Sequence, residues 1–179
     1  MKNIKYVSSG GLAFEEEKDM RKLERYAAEG WEVDGFSLLG YKLKKNDPAE
    51  RIYAIDYCNK PDEEYFTYFR EGGWKHVASQ SNYIHLFTAA PGTTPLYTDK
   101  TTEIDKYEVQ QRITGKAALP LLIIEVLLLS GAFGDFSFIA PFMNKVFLVL
   151  FFILSVPLVF TGLPWFGFTY RLFKLRHSG

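Results

Sequence analysis

The chain has 179 residues, of which 47% are apolar and 23% charged, and its 21 basic residues balance its 21 acidic residues. This composition argues against an extended disordered chain, and the absence of a basic surplus argues against a nucleic-acid-binding protein. A single cysteine, Cys58, excludes an internal disulfide framework. The charges are unevenly placed, because 16 basic and 19 acidic residues precede Ile113 whereas five and two follow from that residue onward.

Residues 1–98 predict a duplicated α+β domain. The segments RYAAEGW at 25–31 and YFREGGW at 68–74 are similar, and each follows a strand-like segment and a helical segment. Two further strand-like segments come after each Trp. In the first helical segment, an apolar stripe follows steps of three and four residues, the spacing of one helix face; its members are Met20, Leu23, Tyr26 and Ala27. We expect two strand-helix-strand-strand repeats that form an antiparallel sheet with two helices on one face.

The C-terminal third predicts two membrane spans after a helical connector at 99–116. Residues 117–133 form an apolar run that Pro120 and Glu125 interrupt, and residues 146–170 contain no charge. A bilayer core of about 30 Å takes about 20 helical residues. We therefore expect transmembrane helices at 117–134 and 146–168 and a basic tail at 169–179. The alternative, a pair of core helices in a soluble protein, lacks the polar face that such helices turn to water.

The basic residues predict the orientation of this hairpin. Six of them flank its outer ends, and one, Lys145, flanks the turn between the helices. The six are Lys106, Arg112, Lys116, Arg171, Lys174 and Arg176. Because basic flanks stay on the cytosolic side, we expect a cell-membrane protein with two spans, both termini in the cytosol and the turn outside. The first eight residues lack the apolar run of a secretory signal, which also favours a cytosolic location for the N-terminal α+β domain.

Several motifs resemble a known bacterial family. They lie at residues 24–31, 40–41, 51–57, 71–74 and 96–99, ahead of the apolar hairpin. Over roughly residues 1–110 the chain is similar to the family called domain of unknown function 2812, whose members carry a similar pair of membrane helices. The resemblance implies the fold and the membrane location. It implies no activity, since the family has none assigned, and it transfers no catalytic residue.

Glu125 is the sharpest candidate for a functional residue. A carboxylate near the middle of a bilayer costs at least a few kcal/mol unless it is neutral or paired. One interpretation is a proton or ion relay, or a contact to another membrane protein. The other is a structural role, in which the neutral acid forms a hydrogen bond to a neighbouring helix, for instance in a dimer.

Two further groups of residues are candidate binding sites. The tail residues Arg171, Lys174 and Arg176 are placed to contact anionic lipid headgroups, or else they only set the topology. Five aromatic residues of the α+β domain are candidates for the lining of a ligand groove. The alternative is that they pack in the core and cover the sheet. They are Trp31, Tyr41, Tyr53, Trp74 and Tyr83.

The sequence offers little for catalysis or for a cofactor. His76, His85 and His177 lack the spacing of metal ligands, and Cys58 has no second cysteine near it. Gly10 and Gly11 lack the Lys and Ser/Thr of a phosphate-binding loop and fit a turn better. We therefore expect no enzyme, metal or cofactor site.

The function expected from these features is binding. We expect a membrane-anchored cytosolic module that contacts lipid and binds a protein partner, a small ligand or further copies of itself at the inner face of a bacterial membrane. The alternative is a small membrane effector or transport accessory that works through Glu125.

Overall fold

A computed structural model describes residues 3–97, 100–134 and 142–177. The chain divides into two compact units, Met1–Lys106 and Tyr107–Gly179, called here the head and the hairpin. The described elements, in chain order, are β1 (Ile4–Ser8), α1 (Leu12–Ala28), β2 (Trp31–Ser37), β3 (Gly40–Lys45), β4 (Ile52–Tyr57), α2 (Glu63–Glu71), β5 (Lys75–Gln80), β6 (Ile84–Ala89), α3 (Lys100–Phe133) and α4 (Met143–His177).

The end of α1 and both ends of α2 follow from their local sequence, whereas α1 begins at Leu12, ahead of the acidic run from Glu15 to Glu17, and has no side-chain cap. The Asp62 side chain caps α2 by accepting a hydrogen bond from the backbone N–H of Tyr65 at 2.9 Å, and acidic residues fill the first turn. After α1, Gly30 has a φ of 79°, a left-handed conformation that suits glycine at the end of a helix. The predicted stripe of α1 is confirmed, because Met20, Leu23 and Ala27 are buried and Tyr26 packs half-buried against the same core.

The six strands form two three-stranded antiparallel sheets, with the orders β1-β3-β2 (sheet 1) and β4-β6-β5 (sheet 2). The α+β class is confirmed, but the strands are divided between two sheets rather than joined in one. β2 lies beside β5, and each of these strands carries a bulge, at Val33/Gly35 and at His76/Ala78. A bulge bends and twists its strand, which interrupts regular pairing along the edge.

Sheet 2 is covered on both faces. Ile55 and Leu86 join the core around α1, whereas Phe87 and Ala89 pack with the α2 residues Phe66 and Phe69. The two helices therefore lie on opposite faces of this sheet, which differs from the expected arrangement with both on one face. β6 has apolar residues on both of its faces, and its residues from His85 to Ala89 are all buried. A strand of this kind can pack against a helix on each face of its sheet.

The hairpin contains α4 and the part of α3 from Tyr107 onward, and both helices are long and apolar enough to cross a membrane. The predicted connector and the first predicted span form one helix, because α3 continues past Pro120. α4 extends beyond the predicted second span at both ends and includes Pro157 and Pro164. Much of the apolar surface of both helices is exposed, for example Leu127 at 65% and Phe152 at 64%. Such a surface suits lipid rather than water.

Candidate functional site

The hairpin helices meet along one seam. Positions 107, 111, 114, 118, 121, 125, 128 and 132 of α3 are buried or half-buried. Their alternating steps of four and three residues are the spacing of an antiparallel coiled coil. Small residues allow close approach: a side chain on Gly131 would lie 2.8 Å from the Phe147 ring, and one on Gly115 would lie 2.8 Å from the Trp165 indole nitrogen.

Glu125 lies in this seam, near the middle of the apolar run of α3. Its side chain is only 4% exposed. Within the described part of the chain, neither carboxyl oxygen has a hydrogen-bond partner. The contacts on either side, Gly131 with Phe147 and Gly115 with Trp165, place it level with about Ser155 of α4, whose hydroxyl donates to the Phe151 carbonyl. The carboxyl is thus enclosed between the two helices instead of facing outward.

The basic residues after the second apolar run have different surroundings. The Arg171 guanidinium donates to the Tyr107 hydroxyl and lies 4.9 Å from the centre of that ring. Arg176 forms an ion pair with Glu108, and Lys174 is exposed. Two of the three predicted headgroup contacts are therefore also engaged with the first turns of the hairpin part of α3. Their contact with lipid stays a prediction.

The structure distributes the five aromatic candidates over the head. Tyr41 and Tyr53 are buried in the core around α1, where Trp31 is half-buried and lies under the Lys5 ammonium at 4.5 Å. Trp74 belongs to the core under α2, and its indole N–H donates to the Thr94 carbonyl at 2.9 Å. Tyr83 lies 6.1 Å from the Tyr57 ring.

Tyr41 takes part in a polar contact below the turn at Gly10. Its hydroxyl donates to the buried Asp19 at 3.3 Å, and Asp19 also accepts from the Ser9 hydroxyl and from the Gly10 N–H at 3.0 Å. Burial, followed by the charge of Asp19, raises the pKa of Tyr41. The predicted turn at Gly10 and Gly11 is thus fixed by a carboxylate of α1, which gives these residues a structural role.

A buried ion pair joins three elements of the head. The Lys106 ammonium lies 2.5 Å from a Glu16 carboxylate oxygen, with side-chain exposures of 4% and 9%, and it also donates to the Ile55 carbonyl at 2.9 Å. Nearby, Asp56 accepts hydrogen bonds from the Tyr65 hydroxyl at 2.6 Å and from the Tyr97 hydroxyl. Burial, together with the charge of Asp56, raises the pKa of Tyr97.

Two histidines and a serine form a chain of hydrogen bonds on sheet 2. The Ser79 hydroxyl lies 2.9 Å from His76 Nε2 and 2.7 Å from His85 Nδ1, and His85 Nε2 lies 3.1 Å from the Cys58 carbonyl oxygen. Both histidines lie on strands, His76 on β5 and His85 on β6, and their contact with Ser79 was not predicted. A turn centred on Ser81 and Asn82 was the signal that could have revealed it, since such a turn sets Ser79 opposite His85.

The remaining candidates for metal or thiol chemistry have simple environments. Among the described residues, no group of three or more His, Cys, Asp or Glu side chains could hold a metal ion. Cys58 is half-buried, and burial raises the pKa of its thiol, as do Asp56 and Asp62. A raised thiol pKa disfavours the thiolate that a nucleophilic cysteine needs.

The head also has an open surface groove of about 700 Å³ between α1 and the start of β4. Its charged lining contains both signs. The basic residues are Lys18, Arg21, Arg25 and Arg51, and the acidic ones are Glu24 and Glu50. Two of these cations already face acids, since Lys18 pairs with Glu15 and Arg21 lies 3.9 Å from Glu17. The groove therefore selects no single class of charged ligand.

Comparison with known proteins places the chain in a family. The family model described as "Protein of unknown function (DUF2812)" matches residues 15–119, more than half of the chain. The chain belongs to this family. The DUF2812 match extends from the first turn of α1 into the apolar part of α3, and it covers Glu16, Lys106 and both strand histidines. Neither the search of curated proteins nor that of solved structures gave a significant match.

Proposed function

We propose that this DUF2812 protein is a membrane-anchored binding module. The hairpin would hold the head at the inner face of a bacterial membrane, where the head binds a protein partner. The observation that supports this best is the division of the chain into a charged, folded head and a separate pair of lipid-length helices. In this proposal the head acts by binding and not by catalysis, and lipid contacts of the basic tail support the anchor.

The binding surface we propose is the outer face of sheet 1, formed by Ile4, Tyr6, Glu32, Asp34, Lys42 and Lys44. Tyr6 is 68% exposed, and tyrosine is enriched in protein interfaces. The Lys42 ammonium lies 2.6 Å from Asp34, and this contact lowers the pKa of the Asp34 carboxyl. Cross-strand pairs of this kind keep the charged side chains ordered around the exposed ring.

The test is photo-crosslinking in cells with a photoreactive amino acid at position 6. The matched control is position 68, because Tyr68 on α2 is exposed to a similar extent, 74%. We expect one adduct of defined mass from position 6, identifiable by mass spectrometry, and none from position 68. Equal crosslinking at the two positions, or no adduct at position 6, would contradict this surface as the binding site.

The alternative function, a membrane effector that uses Glu125, is favoured by one observation. The carboxyl is buried in the seam and has no hydrogen-bond partner among the described residues. If the side chain at this position only filled space, an apolar residue would do so at a lower cost in free energy, because a buried carboxyl without a partner is unfavourable.

Two substitutions at Glu125 separate the two functions. Gln keeps the shape and the hydrogen-bonding capacity but cannot exchange a proton, and Leu removes both. If Glu125 is the working group, both variants fail to rescue the cellular phenotype of a deletion strain, although the protein remains in the membrane fraction. Full complementation by Glu125→Leu would remove this alternative and leave the binding module.

A further inference from the structure

The serine between the two histidines has features of a nucleophile. His85 Nε2 faces the Cys58 carbonyl oxygen, which can only accept a hydrogen bond, so Nε2 carries the ring proton. In the neutral ring, Nδ1 is then an acceptor. The Ser79 hydroxyl, 2.7 Å away, must be the donor in that contact, and its proton points at an imidazole base.

The second imidazole completes the arrangement. Because the Ser79 proton is directed to His85, the Ser79 oxygen accepts from His76 Nε2 at 2.9 Å. A donor aimed at this oxygen stabilises the negative charge that develops when the hydroxyl loses its proton. Burial, and then the neighbouring His85, lowers the pKa of His76. Both imidazole rings thus contact the Ser79 oxygen: His85 is placed to act as the base, and His76 is the hydrogen-bond donor.

The surroundings fix the base and leave the serine accessible. His85 is fully buried, and its ring lies 5.4 Å from the Tyr65 ring and 5.8 Å from the Phe66 ring. Ser79 and His85 are opposite each other in the antiparallel pair of β5 and β6. Ser79 itself is exposed. A rigid base beside an accessible hydroxyl is the arrangement that covalent acyl transfer uses.

We propose that Ser79 is a reactive hydroxyl that accepts an acyl group from an activated ester. The Ser79 oxygen attacks the ester carbonyl carbon while His85 Nδ1 takes the hydroxyl proton. The bond from that carbon to the ester oxygen then breaks, and the leaving alcohol receives the proton from His85. The product is Ser79 bearing the acyl group, and His85 returns to its neutral form. This site is independent of the binding surface on sheet 1.

The probe is p-nitrophenyl acetate, applied to the full-length protein in detergent, with acetylation located by peptide mass spectrometry. Ser81 is the matched control, because it is an exposed serine two residues away that has no imidazole contact among the described residues. General-base assistance is worth roughly 10²-fold or more in rate. We expect acetylation of Ser79 to be about 100-fold faster than that of Ser81. Ser79→Ala removes the label and Ser81→Ala retains it.

Two results would overturn the proposal. One is equal acetylation of the two serines in the native protein, which would show ordinary hydroxyl reactivity. The other is unchanged acetylation of Ser79 in a folded His85→Asn variant. If that variant does not fold, the comparison of Ser79 with Ser81 in the native chain decides alone.

Discussion

At the scale of single residues, the fold changes the protonation of His76. This side chain packs 4.7 Å from the Phe66 ring and 5.5 Å from the Phe87 ring, measured between ring centres. Burial is the main cause that lowers its pKa below the ordinary value of about 6.5, and the facing His85 adds to it. The unfolded chain therefore binds a proton at a higher pH than the folded head does.

This difference predicts a loss of stability in mild acid. Since the unfolded state takes up more protons below about pH 6.5, the free energy of unfolding of β5 and β6 falls as the pH decreases below about 6.5. Hydrogen–deuterium exchange of the amides of these strands, in the full-length protein, measures the effect. A His76→Gln variant should show a flatter pH dependence, and an unchanged slope in that variant would assign the effect to other groups.

Single-residue chemistry was only partly predictable. Glu125 could be identified because one acid in an apolar run is visible in the sequence. The enclosure of Glu125 between α3 and α4 could not be predicted, because the side of α3 that faces α4 depends on the pairing of the two helices. The contact of Ser79 with His85 depends on strand register, and the resulting proton direction depends on the Cys58 carbonyl, 27 residues away along the chain.

At the scale of elements, the ion pair of Lys106 with Glu16 joins α3 to α1, and the Lys106 bond to Ile55 adds β4. Both side chains are almost fully buried. A buried pair costs desolvation when it forms, but removal of one partner leaves the other charge uncompensated in the core. The contact therefore makes the first turns of α3 part of the folded head.

Lys106→Met should destabilise the head by about 3–5 kcal/mol, because Glu16 then loses its cation. The double variant Glu16→Leu/Lys106→Met removes both charges and should recover most of this loss. Chemical unfolding of the full chain, followed by Trp fluorescence in a Trp165→Phe background, reports on the head through Trp31 and Trp74. A double variant no more stable than the single one would contradict an uncompensated charge as the cause.

Local pattern predicted the elements better than their assembly. The apolar stripe of α1 is readable over a few residues, and it was predicted correctly. The division into two sheets was not predicted, because it depends on bulges in β2 and β5 and on the packing between strands that are distant in sequence. The continuous burial of β6 has a signal in its composition, since Leu86, Phe87 and Ala89 leave no polar alternation at its centre.

At the scale of the whole molecule, the chain combines a head that buries its apolar side chains with a hairpin that exposes them. The head core includes Leu23, Leu43 and Leu86, each with no exposed surface. On α4, by contrast, Ile153 is 60% exposed and Phe160 is 67% exposed. The two helices are long and apolar enough to span a bilayer, and their length and composition were readable from the sequence.

The predicted orientation in the membrane rests mainly on the basic flanks. The turn that should lie outside falls mostly on residues 135–141, which are outside the described residues. The two halves of the head share one order of elements and one order of strands within their sheets, in line with the predicted duplication. The duplication itself, like the orientation, stays a prediction.

Cysteine labelling of intact bacteria with a membrane-impermeant maleimide tests the central claim most directly. One variant carries Asp135→Cys with Cys58→Ser, and a second carries Tyr68→Cys with Cys58→Ser, so that each has one thiol. We predict that position 135 is labelled on intact cells and that position 68 is labelled only after the membrane is permeabilised. Labelling of position 68 on intact cells, or recovery of the chain in the soluble fraction without detergent, would contradict a head anchored on the cytosolic side.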